Sequence, residues 1–270
     1  MKRISSPDNP TVKLLHDLAT SSRERRQLGQ TLLDGVHLVE TWLAGVGRPR
    51  LLVVSESACE RSEIAQILRQ VGEGANIVLL SDALFARVSP VETPAGIMAL
   101  IDIPPAPAAR IGTGGSCMVL DAIQDAGNLG TLLRTAAAAS VRDVLLGQGC
   151  AQAWSPRVLR AGMGAHLALA IHEHAPLAQM LSGFAGEVIA TGLDARESLF
   201  ELDLRQPVAW LFGNEGAGLS PEAAALATRR VRIPMPGQIE SLNVSAAAAI
   251  CLFEQVRQNA DRRASGSRKG

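Results

Sequence analysis

The chain has 270 residues, 47% of them hydrophobic and 19% charged, with 26 basic side chains balanced by 26 acidic ones. That length and apolar content provide for one large domain or two smaller ones, and they exclude a disordered chain. Zero net charge excludes a uniformly basic surface, and 3% aromatic residues with no Tyr argue against recognising bases by stacking them on an aromatic platform.

The N-terminus, MKRISSPDNP, has no apolar run behind its charges, and no stretch reaches the length of a membrane span. The chain therefore reads as soluble and cytoplasmic. Its ends are more basic than its body. Lys2, Arg3, Lys13, Arg23, Arg25 and Arg26 face Asp8, Asp17 and Glu24 at the start, and Arg257, Arg262, Arg263, Arg268 and Lys269 face Asp261 at the end. Such ends are either an electrostatic footprint for nucleic acid or solvated tails. Cys59, Cys117, Cys150 and Cys251 form no CxxC pair, and three lie in apolar runs, so buried thiols are expected rather than ligands or disulfides.

Residues 1–102 read as a first, small α/β unit. Three short helices follow a turn-rich start, with Leu14, Leu15 and Leu18 on one apolar face and Val36, Val39 and Leu43 on another. Arg23 to Arg26 are expected in the connection between the first two helices. Strands are predicted at 51–55, 76–80 and 96–102, with a helix over 62–71 between the first two. Residues 103–116, IPPAPAARIGTGGS, carry the Pro and Gly of a linker.

Residues 117–260 form a second, more regular unit. Near-continuous apolar strands are predicted at 117–123, 141–147, 187–193, 208–213 and 229–235, with helices over 129–139, 155–164, 176–184, 221–226 and 242–259. That alternation predicts a parallel sheet covered on both faces. Residues 261–270 read as a basic, disordered tail.

Three strand-to-loop transitions in this unit are richer in polar residues than a turn requires. In DAIQDAGNLGTLLRT (121–135), Asp125, Gly127, Asn128 and Gly130 fill a turn and Arg134 lies in the helix behind it. Open α/β sheets place ligands at that end of their strands. In LFGNEGAGLS (211–220), a strand runs into Gly, Asn and Glu. This stretch lacks the Lys-Ser/Thr of a phosphate-binding loop and the glycine spacing of a dinucleotide fingerprint. In IPMPGQIESLNVSAAAAICLFE (233–254), Gln238, Glu240, Ser241 and Asn243 stand at the mouth of an alanine-rich helix. Ser and Asn there serve equally as plain helix caps.

Together, in this order, the three stretches resemble the signature motifs of the SpoU (TrmH) family of RNA ribose 2′-O-methyltransferases, over about residues 117–258. Residues 1–102 resemble, more loosely, the L30e-like substrate-binding domain of the ribosomal RNA members. The resemblance implies S-adenosylmethionine as methyl donor, a deep trefoil knot in the C-terminal segment, and a homodimer whose site draws on both subunits. It also implies catalytic roles for Asn128, Arg134, Glu215, Ser241 and Asn243, and cofactor contacts at Thr191, Gly192, Leu211, Gly213, Ile233 and Leu242. One departure is visible: the family's usual Pro after the second Asp of the first motif is Ala126 here.

Methyl transfer from a sulfonium is an in-line displacement, so alignment of the hydroxyl does much of the work. Arg134, as a permanent cation, suits stabilisation of the developing alkoxide better than proton abstraction. Ribosomal RNA is the expected substrate; tRNA, and a non-catalytic dimeric RNA-binding protein, are the alternatives. His172 and His174 alternate on a predicted strand but have no further ligands nearby in sequence, so no metal is expected.

Overall fold

A computed structural model describes residues 1–72, 74–105, 107–108, 111, 115–239 and 241–266. Most of the Gly-rich part of the expected linker, Glu240 and the end of the expected tail thus lie outside the described residues. The chain forms two compact units, Met1–Pro105 with Gln152–Leu167, and Ala106–Ala151 with Ala168–Gly270.

In the first unit the elements are β1 (Lys2–Ile4), α1 (Pro10–Thr20), α2 (Ser22–Leu28), β2 (Gln30–Asp34), α3 (Val36–Gly45), β3 (Leu51–Ser55), α4 (Ser62–Val71), β4 (Ile77–Leu80), α5 (Asp82–Val88) and β5 (Ile97–Asp102). The strands form one mixed sheet in the order β1-β4-β3-β5-β2. Helix α1 begins where the residue types demand it. The Asn9 side chain accepts a bond from the Thr11 N–H and Pro10 takes the first helical position. Its buried stripe is Val12, Leu15 and Leu18, with Leu14 packed at the margin.

Two expectations fail here. Arg23 to Arg26 lie within a helix of their own, and Arg25 is buried. Its Nη1 donates to the Leu18 carbonyl at 2.7 Å and its Nε to Gln152 Oε1 at 2.8 Å. One of the N-terminal basic residues is therefore structural rather than part of a surface footprint. The strand β2 stands between two expected helices, bounded by Gly29 (φ 62°) and Gly35 (φ 97°), whose conformations favour glycine. At its end Asp34 is buried, with Oδ1 lacking a partner among the described residues and Oδ2 3.4 Å from Arg160 Nη1. Burial pushes this carboxyl up to about 6 against the lowering effect of Arg160.

The second unit opens with β6 (Cys117–Leu120), α6 (Ala126–Ala138) and β7 (Asp143–Leu146). The chain then supplies α7 (Pro156–Gly162) to the first unit, where the Thr31 hydroxyl donates to the Trp154 carbonyl at 2.7 Å. It returns as β8 (Ala170–His172), α8 (Leu177–Leu181), β9 (Glu187–Thr191), β10 (Glu197–Ser198), β11 (Val208–Phe212), α9 (Pro221–Ala224), β12 (Arg229–Arg232) and α10 (Val244–Gly266). The seven strands are all parallel, in the order β10-β12-β9-β11-β6-β7-β8. Strand β6 starts the run through β7 to β8, and β11 lies on its other side. The order reverses between them, where parallel sheets open their binding crevices.

The core of this sheet is apolar on both faces, as expected of buried parallel strands; every residue of β11 and β6 is buried. Helix α10 is tied to β11 by the Trp210 indole N–H, which donates to Gln255 Oε1 at 2.9 Å. The α10 helix continues beyond the expected end at residue 259. His172 ends β8 and bonds Asp143 at 3.1 Å, whereas His174 lies past the strand at φ 53°, so the two do not share a strand face. No helix among the described residues is long and apolar enough to cross a membrane.

Candidate cofactor and catalytic site

The carboxyl ends of β6, β11 and β12 carry the three polar stretches singled out above, and that of β9 carries Thr191 and Gly192. After β6, Asp121 is buried and its Oδ2 accepts the Ser220 N–H at 2.7 Å, which ties the first loop to the second. Asp125 then caps α6 by accepting the Asn128 N–H at 2.7 Å. Ala126 occupies the first position of that helix, so the cap forms without the family's usual proline.

The loop after β11 is closed on itself. Asn214 and Gly218 exchange backbone bonds, both at 2.9 Å. The Asn214 side-chain oxygen accepts the N–H groups of Gly216 and Ala217, and its amide donates to the Ala122 carbonyl at 3.0 Å. Gly213 must be glycine: a Cβ there would stand 2.3–2.4 Å from the Gly218 and Leu219 backbone.

Side chains from all three stretches then meet. Asn243 Oδ1 caps α10 by accepting the Ser245 N–H at 2.9 Å, and its Nδ2 donates to Asn128 Oδ1 at 3.0 Å. Asn128 Nδ2 donates in turn to Glu215 Oε1 at 2.5 Å, and the Ser245 hydroxyl donates to the Asn128 carbonyl at 3.2 Å. One Asn243 side chain thus caps α10 with its oxygen and reaches Asn128 with its amide.

Beside this chain of amides lies an open cavity of about 520 Å³. Thr191, Gly192, Gly213, Ile233 and Leu242 line it, as do Glu215 and Ser241. Leu211 does not; it is fully buried within β11, in the core beneath. Arg134 lies on the exposed side of α6 and makes no hydrogen bond or ion pair among the described residues, so the amide chain does not orient it. Asp121, Ser245 and Arg230 line or brace the site without having been expected, whereas Asn214 stands beside Glu215 in the second motif, where the resemblance puts it. For Asp121 a signal existed, since it is a polar residue just after a buried strand.

The cavity suits an adenosine-sized ligand in volume. Phe212, Leu219, Ile233 and Met235 offer apolar wall, and the strand ends offer backbone polar groups. The cysteines take no part. Burial pushes the Cys117 and Cys251 thiols up to about 12 and that of Cys150 up to about 11, far from a reactive thiolate.

Comparison with known proteins finds the SpoU rRNA Methylase family over residues 116–253 and an MRM3-like substrate binding domain over residues 9–99. An uncharacterised tRNA/rRNA methyltransferase of Synechocystis is 36% identical, over 94% of this chain and 93% of that protein. The 23S rRNA (guanosine(2553)-2′-O)-methyltransferase of Bacillus subtilis is 32% identical, over 94% of this chain and 98% of its own length. A crystal structure of an RNA 2′-O ribose methyltransferase superposes with a TM-score of 0.83 at 30% identity, covering 96% of this chain and 99% of that one. An AdoMet-bound rRNA methyltransferase of Sinorhizobium meliloti gives a TM-score of 0.82 at 27% identity, covering 95% of this chain and 97% of that one.

Proposed function

The chain belongs to the SpoU rRNA methylase family, and from that premise we propose that it is an RNA methyltransferase that moves a methyl group from S-adenosylmethionine to a ribose 2′-hydroxyl of ribosomal RNA. One observation in this chain carries the reading. Asn243, Asn128 and Glu215, from three distant stretches, bond in series at the edge of a cavity of ligand size. A protein that only bound RNA would have no use for such a closed set beside an open cleft.

When bound, S-adenosylmethionine supplies a methyl group on a sulfonium, activated toward an aligned nucleophile. The chain's own residues do the rest. Thr191, Gly192, Gly213, Ile233 and Leu242 hold the ligand by backbone and apolar contact at the strand ends, and Leu211 supports them from the core. The Asn128 and Asn243 amides fix the second and third loops against α6 and hold Glu215 in one position. Ser241, at the rim, offers a hydroxyl to the incoming ribose.

Arg134 supplies the positive field that the 2′-oxygen needs as its proton leaves. It stands six residues after Asn128 on α6, about 240° further round the helix. That turns it away from the amide chain of its own subunit, and we infer that it serves the cavity of a second copy in a homodimer. The same family membership extends the reading to a knotted C-terminal segment, to a substrate role for the first unit and to a cytoplasmic site of action. Among the described residues no group of three or more His, Cys, Asp or Glu side chains is placed to hold a metal ion.

The test is transfer of labelled methyl from S-adenosylmethionine to protein-free ribosomal RNA from cells lacking the enzyme, with tRNA as a parallel substrate. Label in ribosomal RNA, absent with Arg134→Ala, is the expected result. Label in tRNA alone reassigns the substrate, and full activity of Arg134→Ala removes the role given to that residue.

A further inference from the structure

Among the described residues that line the cavity, two carry charge, Glu215 and Arg230. Glu215 is engaged by the Asn128 amide. Arg230 lies within β12, where alternation along the strand turns Arg229 and Val231 to the opposite side. Arg229 is held by Glu187 at 3.1 Å and by Glu197 at 3.4 Å. Arg230 faces Asp194 at 3.5 Å, and both of these side chains are more than half exposed. So exposed and so long a pair contributes little to stability, and either member can take a new partner at small cost.

The pair stands over Gly192, on the cavity wall. A Cβ on that glycine would lie 3.0 Å from Asp194 Oδ1 and 3.6 Å from Arg230 Nη2. A side chain there would crowd the Asp194 carboxylate and lie in van der Waals contact with the guanidinium, so the glycine leaves room beside the pair on the cavity wall. The other polar groups of this wall are neutral or committed. Thr191 and Ser241 carry hydroxyls, and the Asn214 amide is spent on the Gly216, Ala217 and Ala122 backbone.

S-adenosylmethionine ends in an α-amino acid, with a carboxylate and an ammonium on one carbon. An adjacent guanidinium and carboxylate form the complement of that end, and the planar fork of arginine matches a carboxylate in two parallel bonds. We propose that Arg230 binds the carboxylate of the methyl donor, with Asp194 taking the ammonium. This rests on the cofactor reading given above. The amino-acid end is the same before and after methyl transfer, so the contact strengthens ground state and transition state alike. Arg230 is thus a binding residue whose loss raises the KM for the donor and leaves kcat unchanged.

The experiment is calorimetric titration of the full-length protein with S-adenosylmethionine and with its decarboxylated analogue, for the wild type, Arg230→Ala and Arg230→Lys. A charge-assisted contact at a half-exposed site predicts that Arg230→Ala weakens S-adenosylmethionine by about tenfold. The analogue, which lacks the carboxylate but keeps the ammonium, should bind Arg230→Ala at least as tightly as the wild type, since the guanidinium no longer competes for Asp194, and Arg230→Lys should recover part of the loss seen with S-adenosylmethionine. Equal losses for both ligands, or none for either, overturn the proposal. A wild type that binds neither ligand overturns the cofactor reading together with it. Unchanged donor affinity with weakened binding of ribosomal RNA in Arg230→Ala would place the guanidinium on a phosphate instead, and that too overturns it.

Discussion

Asp34 lets burial be weighed against pairing in the first unit. Its side chain is 2% exposed, one oxygen has no partner among the described residues, and the other faces a half-exposed Arg160 at 3.4 Å. Its carboxyl rises from 3.8 to about 6, so the ionised form is disfavoured in the fold by about 3 kcal/mol. A carboxyl whose folded pKa is raised contributes stability that is complete below its unfolded value, near pH 4, and lost as pH rises through 6. Between pH 5 and pH 8 the part of this that is lost is about 1.5 kcal/mol. Asp34→Asn keeps the shape and removes the titration. It should stabilise the unit at pH 8 by about 1–3 kcal/mol, the lower end applying if the Arg160 contact has real worth. In a Trp210→Phe background, which leaves Trp42 and Trp154 as the only tryptophans, urea unfolding followed by fluorescence reads this unit at both pH values. The expected outcome is a variant more stable than wild type at pH 8, with the pH slope reduced. A variant less stable at pH 8, with the slope intact, would mean that the Arg160 pair outweighs the burial cost.

Asn128→Ala removes the bonds to Glu215 and Asn243, whose side chains are both exposed. Water can replace them, so thermal unfolding should move by about 1 kcal/mol or less while methyl transfer is lost. A variant that is active, or one that is unfolded, would contradict the assignment. Gly213→Ala forces a Cβ against the Gly218–Leu219 backbone and should cost about 1–3 kcal/mol and abolish donor binding by calorimetry. Unchanged donor affinity would show the second loop to be dispensable. Ala126→Pro restores the family's usual residue at the first position of α6, behind an Asp125 already extended at ψ 124°. It should raise stability by about 0.4–1 kcal/mol with activity retained, and a lowered melting temperature would show that the first turn of α6 does not accept a proline ring at this position.

The parallel sheet of the second unit was legible because buried strands such as VAWLF are apolar without interruption. The strand QTLLD was not, since two adjacent leucines fit a helix as well and only the flanking glycines mark the breaks. The three polar stretches could be seen as one site only by resemblance. Their physical union is a set of bonds between residues 87 and 115 positions apart, which no local pattern encodes. The grouping of Gln152–Leu167 with the first unit depends on equally distant partners, such as Thr31 and Trp154. Arg230 was hidden for another reason. In the run RRVR it has the look of any edge-strand cation, and only the fold shows which of the arginines lines the cavity.

The chemical identity of the methylated product tests the central claim most directly. Ribosomal RNA labelled from S-adenosylmethionine by this protein would be digested with alkali, which cleaves each linkage through its free 2′-hydroxyl. Methylation of that hydroxyl blocks the cut, so the label should be recovered in alkali-stable dinucleotides. Label released in mononucleotides would mean that a base, not a ribose, is the acceptor, and would contradict the account.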